Sequence, residues 1–121
     1  MGIKILSLSK NEDFKKILSG KKINNNYSKI FFKKLSKKYN NGLNLSIITK
    51  KKLGKAVQRN KIKRRLKNIV NNILKSIKIN LKYSYLIIAK KNVLDSKYDE
   101  IKQTILTDFK KILWSKLLIQ Y

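Results

Sequence analysis

The residues of this chain best suited to chemistry are cations. Residues 51–67 read KKLGKAVQRNKIKRRLK, and Arg59, Lys61, Lys63, Arg64, Arg65 and Lys67 place six positive charges within nine residues. No carboxylate lies between Asp13 and Asp95 to neutralise them. Unpaired positive charge at this density calls for a polyanion, and nucleic acid is the usual one. Of 31 cations only three are arginines, and all three fall in this run. A guanidinium is a planar fork that fits phosphate and base edges, whereas an ammonium is a point charge. Three forks clustered in a lysine-dominated chain mark a place where that geometry is used.

Catalytic templates fit poorly. The chain has no His and no Cys, which removes imidazole acid–base chemistry, thiol nucleophiles, disulfides and structural zinc sites. Gly54 has no glycine partner at the spacing of a phosphate-cradling loop. The six carboxylates are Glu12, Asp13, Asp95, Asp99, Glu100 and Asp108. Glu12 suits a helix cap, and Asp99 and Glu100 suit a helix N-terminus. The expectation is no catalytic residue and no metal ligand on the polypeptide.

Composition sets the frame. A chain of 121 residues makes one domain, taken as residues 1–121 with a core over about 6–113 and an apolar tail over 114–121. At 42% hydrophobic it can bury a modest core, while a net charge of +25 brings strong self-repulsion. Abundant Lys, Asn and Ile fit a biased coding composition, which leaves the scarcity of Asp and Glu unexplained. No stretch approaches the ~18 apolar residues of a membrane span. The start, MGIKILSLSKNEDF, lacks the features of a secretory signal, so a cytoplasmic protein with no membrane partner is expected.

The cations need elements to hold them. Ser9 with Glu12 forms a capping box, and Phe14, Ile17 and Leu18 continue a short helix to about Ser19, with Gly20 at its exit. Residues 27–35 and Leu43 to Thr49 read as strands, separated by the turn signal Asn40-Asn41-Gly42. A long helix starts near Val57, with an apolar stripe of Ile62, Leu66, Ile69, Val70, Ile73, Leu74 and Ile77. Asn60, Lys61, Arg64, Lys67, Asn68, Asn71 and Lys75 lie off that stripe, while Arg59 projects towards it. Tyr83 to Lys90 is a strand. Ser96 caps a last helix whose stripe is Tyr98, Ile101, Ile105, Phe109, Ile112 and Leu113. The order α-β-β-α-β-α describes an α+β fold, a two-layer α/β sandwich. The two later strands and the long helix form a crossover unit, which is right-handed by rule if the strands are parallel neighbours.

A charged helix face is usually just solvated, but such a face is comfortable with acidic partners four residues away, and here there are none. Nucleic-acid binding is therefore the expectation for the long helix. Aromatic residues mixed with lysines, among them Phe14, Tyr27, Phe31, Phe32 and Tyr39, offer a second surface, since rings stack on splayed bases while lysines hold phosphates. Alternating aromatics are also what a strand core uses, and Phe31 and Phe32 fit that reading. Composition alone fits a ribosomal or other structural RNA-binding protein equally well.

Lys51-Lys52-Leu53-Gly54-x-Ala56-Val57-x-Arg59-Asn60-Lys61-x-Lys63-Arg64 resembles the signature of bacterial ribonuclease P protein components, a KKxGxAVxRNRxKR pattern. LSKNEDFKKIL near the start, LSIITKK before the motif and YLIIAKK after it resemble the family in order and spacing, over roughly residues 6–113. The resemblance implies a subunit that joins a catalytic RNA to remove the 5′ leader of precursor tRNA. Active-site Mg²⁺ would be bound mainly by that RNA. It also implies a central, mostly antiparallel sheet and a left-handed βαβ crossover, against the right-handed rule. By position, Arg59, Asn60, Lys61, Lys63 and Arg64 would contact the catalytic RNA, with Lys51, Lys52, Arg65 and Lys67 completing that set. Phe14, Leu18, Tyr27, Phe31, Lys50 and Lys90 would line or edge a leader cleft between the sheet and the first helix. Three positions depart from the pattern. Lys61 replaces an arginine, Ser46 stands where a glycine is common, and Leu18 stands where a second aromatic often lies.

Overall fold

Short alternating strands and two long apolar stripes give the chain a sheet with helices on both faces. The computed structural model describes residues 4–6, 11–34 and 42–119. In chain order the elements are β1 (Lys4–Leu6), α1 (Asn11–Leu18), β2 (Lys21–Asn24), β3 (Ser28–Lys34), β4 (Gly42–Ile48), α2 (Ala56–Ser76), β5 (Tyr83–Ala89) and α3 (Tyr98–Ile119). Single 3-10 turns, Lys51–Leu53 and Lys91–Val93, follow β4 and β5. All six expected elements are present, and the stretch from Trp114 to Ile119 continues α3 as helix. The expected Ser9 cap and the turn at Asn40-Asn41 lie outside the described residues. The first bond of α3 runs from Ile101 N–H to Lys97 O at 3.1 Å, so its cap falls one residue after Ser96.

The five strands lie in the order β1-β4-β5-β3-β2. β1 pairs with β4 and β4 with β5 in parallel, while β5 pairs with β3 and β3 with β2 antiparallel. The sheet is thus mixed, with most of its paired residues in antiparallel register, as the resemblance implies. β1 and β2, which the sequence did not reveal, add one pairing of each kind. One has three residues, and the other, KKIN, is an exposed edge whose lysines discourage further strand pairing.

Hydrogen-bond direction fixes the hand of the β4-α2-β5 crossover. Lys90 N–H donates to Tyr27 O at 2.9 Å, so even-numbered residues at this end of β5 turn their backbone groups towards β3. Odd-numbered residues then face β4. The odd side chains Tyr85 and Ile87 belong to the core that α2 closes. For an L-residue on an ascending strand, a side chain facing the viewer puts N–H and C=O to the right. Seen from α2, β4 therefore lies to the right of β5, and the chain moves leftwards through the helix. The crossover is left-handed, as the resemblance implies.

Ile62, Leu66, Ile69, Val70 and Ile73 of α2 are all fully buried against Leu43, Leu45, Tyr85, Ile87 and the stripe of α3. Each such side chain contributes about 1.5–3 kcal/mol by leaving water. Burial pushes the Tyr85 phenol pKa well above its usual value, with Tyr83 adding to the shift. Its hydroxyl donates to Asn80 O at 2.8 Å. On the opposite face the eight-residue α1 covers a smaller cluster of Ile17, Phe31 and Leu86, edged by Phe14, Ile48 and Ile88. So short a helix leaves part of that face open.

Two glycines set the exit of α1 and the entry of α2. Gly20 N–H donates to Ile17 O, and a Cβ at Gly20 would stand 2.6 Å from Phe32 O, so α1 ends where its chain presses on β3. Gly54 has φ 137°, a conformation that disfavours side chains, and a Cβ there would meet Gln58 Oε1 at 2.1 Å. Gln58 Oε1 instead accepts the Lys55 N–H at 3.2 Å and closes the first turn of α2. Gly54→Ala is expected to lower the unfolding free energy by about 1–3 kcal/mol, the cost of a strained backbone position. Urea denaturation followed by circular dichroism measures it, and an unchanged midpoint would refute the assigned strain.

Candidate nucleic-acid interface

The buried stripe of α2 decides where its cations go. Asn60, Lys63, Arg64 and Lys67 follow the i, i+3, i+4, i+7 spacing of one helix face, and all four are exposed. That face lines a cavity of about 870 Å³ whose other walls are Phe14 of α1, Ile5 of β1 and Ser46, Ile47 and Ile48 of β4. An apolar floor thus meets a rim of two ammonium groups, a guanidinium and an amide. Among the described residues, Lys63, Arg64 and Lys67 have no ion pair or side-chain hydrogen bond, so their donors are free. The start of α2 carries no acidic residue to offset its positive dipole end.

The three arginines are not equivalent. Arg64 is exposed and unpaired among the described residues. Arg59 is half-buried, as its projection towards the stripe implied, and its Nε is shielded from solvent without a hydrogen-bond acceptor. A buried donor left unmade costs free energy that an incoming phosphate oxygen could recover. Arg65 is half-buried and turned inward. Its Nη1 donates to Val93 O at 2.7 Å and Leu94 O at 3.1 Å. That guanidinium ties α2 to the turn after β5, a structural task the motif did not reveal. The signal was present, because Arg65 sits three residues after Ile62 and four before Ile69, on the border of the apolar stripe.

The remaining candidates divide by location. Lys51 and Lys52 are exposed in the turn before α2, and Lys61 is exposed on α2. Phe14 is half-buried in the cavity wall, and Phe31 is 9% exposed beneath α1, so both lie on the open face of the sheet. Leu18 is 46% exposed, an apolar side chain available to a ligand. Tyr27 packs into the main core at 9% exposure and is a core wall more than an open platform. Lys50 and Lys90 lie near the carboxyl ends of β4 and β5, apart from the large cavity.

Lys90 is also tied inward. Its Nζ donates to Asn24 Oδ1 at 2.7 Å and Asn25 O at 2.5 Å. Asn92 Nδ2 donates to Asn26 O at 2.6 Å. Asn25 Oδ1 accepts the N–H groups of Tyr27 and Ser28, both at 2.7 Å, and its Nδ2 donates to the buried Asp108 at 2.6 Å. These bonds hold the β2–β3 turn against β5 and α3. Sequence reasoning missed this network because the bonds that tie the turn to β5 and α3 join residues more than sixty positions apart.

A lysine- and arginine-rimmed cavity does not suit a divalent cation. No group of three acidic, His or Cys side chains comes together among the described residues. No helix among them is long and apolar enough to cross a membrane. Mixed α+β architecture, free cations on a helix face and an adjoining apolar cleft define an RNA-binding domain.

Comparison with known proteins narrows that class. The family model for ribonuclease P matches residues 4–113. A ribonuclease P protein component from Fusobacterium nucleatum is 38% identical over 109 residues, covering 86% of this chain and 94% of the relative. One from Bacillus cereus is 27% identical over 104 residues, covering 86% and 88%. The RNase P protein of Thermotoga maritima superposes with a TM-score of 0.72 at 27% identity, over 88% of this chain and 96% of that one. The chain belongs to the ribonuclease P protein family.

Arg64 and Arg65 are adjacent yet should behave in opposite ways. Arg64→Ala is expected to leave stability unchanged and to flatten the dependence of log K for RNA on log salt by about 0.7–0.9. Arg65→Ala is expected to lower stability by about 1.5–3 kcal/mol through loss of charge-assisted bonds. Salt titrations of RNA binding beside thermal melts separate the two, and identical behaviour would contradict the division.

Proposed function

We propose that this chain acts as the protein subunit of ribonuclease P, joining a catalytic RNA and helping it remove the 5′ leader of precursor tRNA. One observation carries the reading. The cations of α2 share a single cavity with Phe14 of α1, a residue expected on a second RNA surface, and with the apolar side chains of β4. A single strand needs such a pairing, with apolar side chains under its bases and cations along its backbone. Phe14 and Ile48 supply the first, and Lys63, Arg64 and Lys67 the second. Arg59, Lys61, Lys51 and Lys52 extend the basic surface towards the structured RNA. Leu18 and Phe31 contribute to the leader side, and Lys50 lies at its margin. Lys90 serves there as a positioning residue for the β2–β3 turn.

The polypeptide's part is binding and orientation. It has no imidazole or thiol to move a proton or attack phosphorus, and its cavity favours anions. Bond cleavage and Mg²⁺ binding therefore fall to the RNA partner, and the cytoplasm is the compartment in which it would meet precursor tRNA. Cations spread along the leader neutralise phosphate repulsion that divalent ions would otherwise screen. The dependence on Mg²⁺ should then fall when protein is added.

The test is reconstitution. The full chain, added to a ribonuclease P RNA at low Mg²⁺, is expected to raise precursor-tRNA cleavage by about tenfold or more, equivalent to about 1.4 kcal/mol of added substrate binding. Folded protein that binds RNA yet gives no gain would point to a structural RNA-binding role and overturn the reading.

A further inference from the structure

A second basic cavity lies beside the first, and the site above does not account for its make-up. It measures about 310 Å³, and its walls include Lys29, Lys50, Lys52, Lys90 and Lys91 with no carboxylate among them. It sits outside the carboxyl ends of the parallel neighbours β4 and β5, where the turns that follow them bring in Lys52 and Lys91. Open sheets favour ligand binding at such strand ends. Lys29, Lys50, Lys52 and Lys91 are exposed and have no ion pair or side-chain hydrogen bond among the described residues. The ammonium of Lys90 is bonded to Asn24 and Asn25, which leaves the other four lysines with free ammonium groups. Four free ammonium groups on residues around one small cavity repel one another, and one phosphate leaves most of that repulsion uncompensated.

We propose that this cavity receives a run of adjacent phosphates, and that its source is the 5′-triphosphate of an untrimmed RNA transcript. This rests on the reading of the first cavity as the leader cleft. Neighbouring residues connect the two cavities, since Ile48 lines the first, Ile88 lines the second, and the two are paired in register on the same face. Lys29 is paired with Ile88 and extends that face onto β3. A strand following the cleft away from Arg64 and Lys67 reaches the five lysines next. A short leader that has kept its initiating nucleotide ends in three phosphates, the densest negative charge along it. The cavity thus reads the state of the leader's end, and α2 reads its backbone.

Binding of short single-stranded RNAs of one sequence to the full-length protein tests this. One RNA carries a 5′-triphosphate and the other a 5′-hydroxyl. The triphosphate form is expected to bind about tenfold tighter, the size that two or three exposed charge pairs give. Its salt slope should be steeper by roughly two, for three added phosphates on a single strand. Lys29→Ala with Lys91→Ala should abolish the preference, whereas Lys78→Ala with Lys110→Ala, equal in charge loss but outside the cavity, should retain it. Equal affinity of the two RNAs overturns end recognition and leaves the leader reading intact. Failure of both RNAs to bind overturns both. Free nucleoside triphosphate binding as tightly as the RNA end would reassign the cavity to nucleotides and overturn the RNA source.

Discussion

The seating of α2 on one face of the sheet is the constraint from which the rest follows. Five side chains of one stripe are fully buried, so rotating the helix by a single residue would expose several of them and bury cations instead. Desolvating an unpaired ammonium or guanidinium costs far more than such a rotation could recover. The apolar stripe therefore aims the basic face as firmly as it closes the core. Gly54 sets where the helix begins, and Gln58 closes its first turn. The left-handed crossover carries the helix from β4 to β5 while the Asn60–Lys67 face borders the cavity shared with α1. The direction of the cations is thus a packing result.

That arrangement places strong electrostatic stress on the free protein. A net charge of +25 on 121 residues disfavours the compact state, and few carboxylates are available to relieve it. Where an internal partner exists, it is used for structure. Asp108 accepts from Asn25 to hold the β2–β3 turn, and Arg65 is spent on backbone carbonyls. The exposed cations of α2 are left for an external partner, and the shielded Nε of Arg59 is a donor with no internal acceptor. An RNA surface would relieve both the repulsion and the orphaned donor. Stability and binding are therefore coupled, because the groups that strain the free fold are those that gain most in the complex.

Much of this was legible from sequence because period and charge are local properties. The stripe of α2, the central strands and the unpaired run at residues 51–67 each declare themselves within a short window. The parts that were not legible are relational. β1 and β2 are too short to show a period and exist as strands only because β4 and β3 offer them an edge. Tyr27 read as an open aromatic, but the turn built on Asn25 directs it into the core. Lys90 read as an edge of the leader cleft, and carbonyl oxygens from a distant turn come within its reach. Arg65 was grouped with its neighbours by charge, although its helical position separates it from Arg64 by 100° of rotation. In each case a residue of the expected chemistry is present, and a distant contact decides how that chemistry is used.

The mixed sheet also explains why two cavities adjoin. Had β4 and β5 been antiparallel, the turns that follow them would leave from opposite ends of the sheet. Because the strands are parallel, both turns emerge at one end and bring Lys52 and Lys91 to the same place. The parallel pairing requires a crossover helix, and that helix is α2, whose outer face rims the neighbouring cavity. One topological choice therefore produces both the helix that carries the arginines and the lysine cluster at the strand ends. The register between Ile48 and Ile88 then joins the two as a single path across the face that α1 leaves partly uncovered.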